Sequence, residues 1–454
     1  MASTWIKRDL SVSETVYKYT WSAWIKRGSL GVAGDLFKTR ADSNNWVQAY
    51  LHADNSMVLQ SYKNGGYHYD FKTTQKFRDT TGWYLFVFNV DSSQSTAGDR
   101  VRMYVNGERI TAFDTSNNNL TNGDSLIING SDSGQAHTIG SWNNGSYFDG
   151  CMSHVHYSSG YSYAPTVFGE TDATTGEWKI NTNPTFTLGG NGYTVLKDGN
   201  TITDQSSNSN DFTVGGGTLT KTEDCPSNVF ATLNPVSFHE ANFSLSNGAN
   251  TMATGNNTQW NNAICSTLVA TGGKFYWEAK WTDGDSYSII GIIKAEDIHR
   301  CATSLSGSGT DIYMHANAIQ TDNGGGSPQK YSFVSSDGNI SISAPPGCIM
   351  QFALDCENRK FWFGVNGTYY NSGNPATGAN PTWDTTDIPA DGEFVPYAQG
   401  YKISGATAFQ FNFGNGFFGS TAISSEGTNA SNLGKFEYDV PSGFTALCTK
   451  GLNE

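Results

Sequence analysis

Two distant stretches of the chain end a strand in the same tripeptide. Asp99 to Phe113 reads DRVRMYVNGERITAF, and Glu357 to Tyr370 reads ENRKFWFGVNGTYY. A two-residue hairpin turn demands positive φ at both central positions, and Asn and Gly both tolerate it, so Val-Asn-Gly after alternating residues specifies a tight antiparallel hairpin. The alternation places Val101, Met103 and Val105 on one face, with Arg102 and Tyr104 on the other. In the second stretch Phe361, Phe363 and Val365 oppose Trp362. One architectural part used twice predicts two antiparallel β-sandwiches in tandem.

A chain of 454 residues exceeds a single core, which agrees with more than one unit. Charged residues are only 15% of the total while Gly reaches 51 and aromatics 13%, so turns are many and the surface is polar through Ser, Thr, Asn and Gly. The formal charge of −14, without a basic stripe, argues against nucleic acid as a partner. The opening MASTWIKRDLSVSETV has no apolar signal core and no window approaches the ~18 apolar residues of a membrane span. The expectation is synthesis in the cytoplasm with no membrane insertion. The 7 cysteines form no CxxC pair and read as reduced thiols.

Strand signals separated by Asn-Gly and Asp-Gly turns run from Tyr17 to about Tyr157, and return from Gly273 in GKFYWEAKW, SYSIIGIIKA, KFWFGVNGTYY and AFQFNFG. The stretch between them is rich in Gly, Ser, Asn and Pro, yet carries Trp178, Phe186, Tyr193, Phe212 and Phe230, which disordered linkers lack. The expected organisation is all-β: a jelly roll over 1–165, an irregular, mostly β bridge over 166–268 packed on both neighbours, and a second sandwich over 269–454.

The order TWSAWIKR, GWYLFVFNVD, RVRMYVNGERI, AHTIGSW and YFDGCMSHVHY resembles the laminin-G-like, concanavalin A-type jelly rolls. GKFYWEAKW, FALDCENRKFWFGVNG, FVPYAQGY and FQFNFG resemble SPRY domains. With the junctions VFGETDATTGEW, QSSNSNDFTV and SNVFATLNP and the ending FTALCTKGLNE, nearly the whole chain is similar to virion structural proteins of tailed bacteriophages, especially marine ones. That resemblance implies a non-enzymatic tail fibre, tail-associated or capsid decoration protein on the virion surface. It implies repeated copies, with a trimer the common arrangement for fibres, contacts with other virion proteins, and binding to host-surface glycans. The rival readings are a concanavalin-type polysaccharide hydrolase and a cellular lectin or adhesion protein.

Glycosidase chemistry needs two carboxylates facing one cleft. No ExDxE strand occurs, and the nearest candidates are Glu278 with Asp285, and Asp355 with Glu357. His154 and His156, two apart in SHVHY, read as a structural pair because no further ligand follows at metal spacing. Sugar rings stack on exposed aromatics flanked by amides, which singles out Tyr67, Tyr69, Trp142, Tyr147, Tyr287, Tyr369 and Tyr370 in Asn- and Gly-rich turns. Laminin-G-like domains hold calcium at the sandwich rim, and Asp35 and Asp91 lie in fitting loops. No other cofactor is expected.

Overall fold

A computed structural model describes residues 3–10, 14–129, 136–141, 145–197, 202–237, 243–254, 262–282, 288–299, 316–321, 328–332, 335–400 and 407–453. The chain divides into two compact units, Met1–Lys221 and Thr222–Glu454. Both are all-β, with helix confined to short turns among the described residues.

The first unit opens with β1 (Trp5–Arg8), β2 (Lys18–Arg27), β3 (Gly34–Asp42), β4 (Asn45–Leu51), β5 (Ser56–Lys63) and β6 (Gly66–Lys76). It continues with β7 (Tyr84–Asp91), β8 (Val101–Val105), β9 (Glu108–Arg109), β10 (Phe113–Asn118), β11 (His137–Ile139) and β12 (Gly150–Ser159). Four short strands complete it: β13 (Gly169–Thr171), β14 (Trp178–Ile180), β15 (Tyr193–Val195) and β16 (Thr213–Gly216). One sheet runs β10-β6-β5-β4-β3-β11-β1-β16 and the other β15-β12-β2-β7-β8-β9. Their inner faces close on a core in which Trp21 stacks between Phe37 and Phe88, with ring centroids 5.6 and 5.5 Å away.

The second unit holds β17 (Phe243–Ser246), β18 (Thr251–Thr254), β19 (Asn262–Cys265), β20 (Lys274–Trp281), β21 (Ser288–Lys294) and β22 (Ala316–Thr321). After these come β23 (Gln329–Ser332), β24 (Ser335–Asn339), β25 (Ile349–Asp355), β26 (Lys360–Val365), β27 (Thr368–Tyr369) and β28 (Phe394–Gly400). It ends in β29 (Thr407–Asn412), β30 (Phe417–Phe418), β31 (Thr421–Ala422) and β32 (Thr445–Ala446). Its sheets run β17-β18-β29-β20-β25-β26-β27 and β19-β28-β21-β22-β23-β24, with β32 added in parallel to β20. Trp277, Phe352, Phe361 and Trp383 form the stacked centre of this core.

Both Val-Asn-Gly hairpins form, with Asn106 at φ 45° and Gly107 at 84°, and Asn366 at 46° and Gly367 at 86°. Each asparagine also ties in a third strand. The backbone N–H of Leu85 donates to the Asn106 Oδ1 at 2.8 Å while the Asn106 N–H donates to the Leu85 carbonyl at 2.9 Å. Ile349 and Asn366 repeat the pair, both bonds at 2.9 Å. The side chain thus adds one more rung at the strand start.

In each unit a later segment covers one outer sheet face. Residues 161–187 lie across β2, β7, β8 and β12 in the first unit. The Thr20 hydroxyl donates to the Tyr161 carbonyl, the Asn89 amide to the Tyr163 carbonyl, and the Ser158 hydroxyl to the Thr187 carbonyl. In the second unit Phe436, Val440 and Phe444 cover Tyr276, Ala353 and Trp362. The turn glycines receive these covers: a Cβ on Gly107 would meet the Trp178 ring at 2.5 Å, and one on Gly367 the Tyr438 ring at 3.1 Å.

The stretch read as one bridge, 166–268, is therefore shared out between the units. Its first part belongs to the first unit, where the Arg8 guanidinium donates to the Asn191 carbonyl and the Asn210 Oδ1, and lies over Tyr193 and Phe212. Its later part joins the second core through Leu233, Met252 and Ile264. The C-terminal tail closes the second unit.

Replacing Asn106 or Asn366 by Ala removes the side-chain hydrogen bond to the third strand and strains a left-handed turn, so each should cost about 2 kcal/mol in chemical denaturation. Replacement by Asp, which keeps the acceptor and tolerates the turn, should cost less than half as much.

Candidate functional site

With one outer face of the first sandwich covered, its larger sheet presents the open one. Register places three rows of side chains across that face, because residues paired on neighbouring strands stand side by side. Lys38, Gln48, Gln60, Asp70 and Asn117 form a polar row over β3, β4, β5, β6 and β10. Arg40, Trp46, Tyr62 and Tyr67 form an aromatic row on one side of it. Asp35, Tyr50, Val58, Lys72 and Thr115 form a mixed row on the other. Their neighbours along each strand, Val47, Ala49, Leu59, Tyr69 and Phe71, point into the core.

The rows are internally braced. Trp46 and Tyr62 stack at 5.4 Å, and Tyr67 stands perpendicular to both while remaining 43% exposed. The Lys38 ammonium lies 5.1 Å over Trp46 and donates to the Gln48 Oε1 at 3.2 Å. The Gln48 Nε2 donates to the Asp35 Oδ1 at 2.6 Å, and the Gln60 Nε2 to the Asp70 Oδ1 at 2.9 Å. Each amide retains a second proton and a second lone pair for a ligand. An amphipathic ring fits such a surface, its apolar face on the aromatics and its hydroxyls on the amides.

Two of these aromatics, Trp46 and Tyr62, were not among the sequence candidates. The alternation W-V-Q-A-Y in β4 facing Q-S-Y in β5 carried the signal, but only the register brings the two rings together. Tyr67 and Tyr69 separate instead of sharing a face. A bulge at His68 shifts the register, pairing Tyr67 with Tyr62 on the outside while Tyr69 stays inside, its hydroxyl 2.7 Å from that of Tyr19. An extra residue in one strand is what breaks the period of two.

The calcium candidates have carboxylates occupied by the protein. Asp35 is buried under Gln48, and burial pushes its carboxyl up to about 6 against the pull of the Gln48 hydrogen bond and Lys38. Asp91 accepts from the Ser93 N–H at 3.0 Å, the Ser93 hydroxyl at 2.6 Å and the Gln94 amide at 2.7 Å, an ordinary turn-stabilising arrangement. Among the described residues no three His, Cys, Asp or Glu gather as metal ligands. Tyr147 is half-buried and bridges in backbone to Asp35 at the edge of the open face. Tyr369 packs against the tail of the second unit and Tyr370 against its core, and both are half-buried. Trp142, Tyr287 and Asp285 lie outside the described residues. His154 and His156 are buried, and His156 sits between Phe168 and Phe186 with its Nδ1 2.9 Å from the Thr194 hydroxyl.

Glu278 and Asp355 are built into the second unit. The Tyr276 hydroxyl, the Asn412 amide and the backbone N–H groups of Glu437 and Tyr438 all donate to the Glu278 carboxylate. Asp355 caps its turn by accepting from the Asn358 N–H and amide and pairs with Lys274 at 3.1 Å. Burial pushes the Glu278 carboxyl up to about 7, although all four of these bonds pull it down.

Residues 8–167 match the concanavalin A-like lectin/glucanases superfamily. The match spans β2 to β12, most of both sheets of the first unit, and includes the open face. No curated protein matches the chain. Solved structures similar to it include the SPRY domain of human HERC1, at 14% identity over 38% of this chain and 92% of that one, TM-score 0.26. The TRIM65 PSpry domain is 15% identical over 40% and 88%, TM-score 0.29. A heptameric SAP-like pentraxin from Limulus polyphemus is 15% identical over 34% and 70%, TM-score 0.25.

The raised Glu278 carboxyl has a signed consequence for stability. In the unfolded chain it ionises near its ordinary value of 4.5, whereas the folded protein holds the proton to about 7. Between those values the folded state binds more protons, so its stability falls as pH rises, by on the order of 3 kcal/mol in total. Subtracting unfolding free energies of Glu278→Gln from those of the parent between pH 4 and 8 should reveal this slope. A flat difference would remove it.

Proposed function

We propose that the chain is a non-catalytic glycan-binding surface protein carried by a tailed-bacteriophage particle. The observation that carries the binding role is the open face of the first unit, where Trp46, Tyr62 and Tyr67 stand beside Gln48, Gln60 and Asp70. Its match to a superfamily of lectins and glucanases supports the same chemistry. The non-catalytic part is supported by Glu278 and Asp355, whose carboxylates are spent on the tail and on a turn.

The particle assignment rests on the order of the junction motifs VFGETDATTGEW, QSSNSNDFTV and SNVFATLNP between two sandwich units. In this reading the protein is a tail fibre, tail-associated or decoration component, present in repeated copies with other virion proteins as neighbours. Host-surface glycans are then its outward partners.

The purified full chain should bind members of a glycan array. Tyr67→Ala and Trp46→Ala should each weaken that binding by about tenfold or more, since a stacked ring contributes on the order of 1 kcal/mol or more beyond its area. Unchanged binding in both variants sinks the proposed face. Mass spectrometry of purified particles should find the protein, and its absence there would overturn the virion role.

A further inference from the structure

Taking the glycan-binding reading of the open face as given, we infer that this face takes a linear, neutral polysaccharide laid across the strands, over roughly four sugar units. The polar row sets the direction. Lys38, Gln48, Gln60, Asp70 and Asn117 pair in succession from β3 to β10, with no register shift at any of these five positions. Neighbouring strands lie about 4.8 Å apart, so the row runs about 19 Å at right angles to the strands. The spacing is close to the rise of one pyranose along an extended chain, so the steps between successive polar groups of the row match roughly four sugars.

The chemistry of the row selects the ligand. Three of its five members are amides, and its single cation, Lys38, is balanced by its single anion, Asp70. Two of the amide orientations are held before any ligand arrives, through Lys38 to Gln48, Gln48 to Asp35 and Gln60 to Asp70. Preorganised neutral donors and acceptors favour hydroxyls over carboxylates or sulfates. The flanking rows add contact along the length, with Arg40, Trp46, Tyr62 and Tyr67 on one side and Asp35, Tyr50 and Lys72 on the other, so that β3 brings one further charge of each sign. Lys72 is neutralised by Asp54 at 2.9 Å, which keeps that flank from recruiting anions.

The test is calorimetric titration of the full chain with cello-, manno- and xylo-oligosaccharide ladders from one to six sugars. At least one ladder should gain affinity stepwise, about tenfold or more from disaccharide to tetrasaccharide, and level off beyond. Asn117→Ala, at the far end of the row, should lower tetrasaccharide affinity by a larger factor than disaccharide affinity. Full affinity at the monosaccharide, or an Asn117→Ala effect independent of length, overturns the inference. Binding of anionic or branched glycans on the array with none of the ladders recognised overturns it too, while leaving the glycan-binding reading intact. Silence of both array and ladders defeats that reading itself.

Discussion

The asparagine of each Val-Asn-Gly turn makes both a backbone-like bond and a turn, and the sandwiches are organised around that double duty. In a two-stranded hairpin the turn residue serves only its own loop. Here the Asn106 and Asn366 side chains reach Leu85 and Ile349, at the starts of β7 and β25, so three strands share one origin. The register of β7-β8-β9 and of β25-β26-β27 follows from those points. The glycine beside each asparagine has a second task, because Trp178 and Tyr438 pack where a Cβ would stand. Turn and cover are thus coupled at one position in each unit.

Covering decides which surface is left to meet a partner. In the second unit the outer row Asn412, Glu278, Gln351, Gly364 and Tyr369 lies beneath the tail, and its polar groups are used internally. Gln351 accepts from the Gly367 N–H, its amide donates to the Tyr276 hydroxyl, and that hydroxyl donates to Glu278. In the first unit the polar row lies on the sheet that residues 161–187 do not cover. Similar side chains serve stability in one unit and remain available in the other.

Much of the architecture was legible in the sequence, because strand alternation and Asn-Gly turns are local signals. Val101, Met103 and Val105 face the core and Arg102 and Tyr104 do not. Trp362 faces away from Phe361 and Phe363, yet it is buried, since the tail that covers it lies some distance away in sequence. The site was less legible. Turn-borne tyrosines such as Tyr369 and Tyr370 resemble sugar platforms in sequence but are half-buried by packing, while Trp46 and Tyr62 resemble ordinary strand residues until register joins them. The boundary between units was hidden for the same reason: Arg8 and Asn210 belong together only once the sheet has closed.

That closure sets a timetable for synthesis. β1 is placed between β11 and β16, and the Thr213 hydroxyl that bonds to the Lys7 carbonyl comes 206 positions later in the chain. A ribosome must therefore deliver nearly all of the first unit before its N-terminal strand gains its second neighbour. Until then β1 has a free hydrogen-bonding edge, and Arg8 has neither Asn191 nor Asn210 to receive its protons. The first unit completes late, and its earliest strand is among the last to be fully paired.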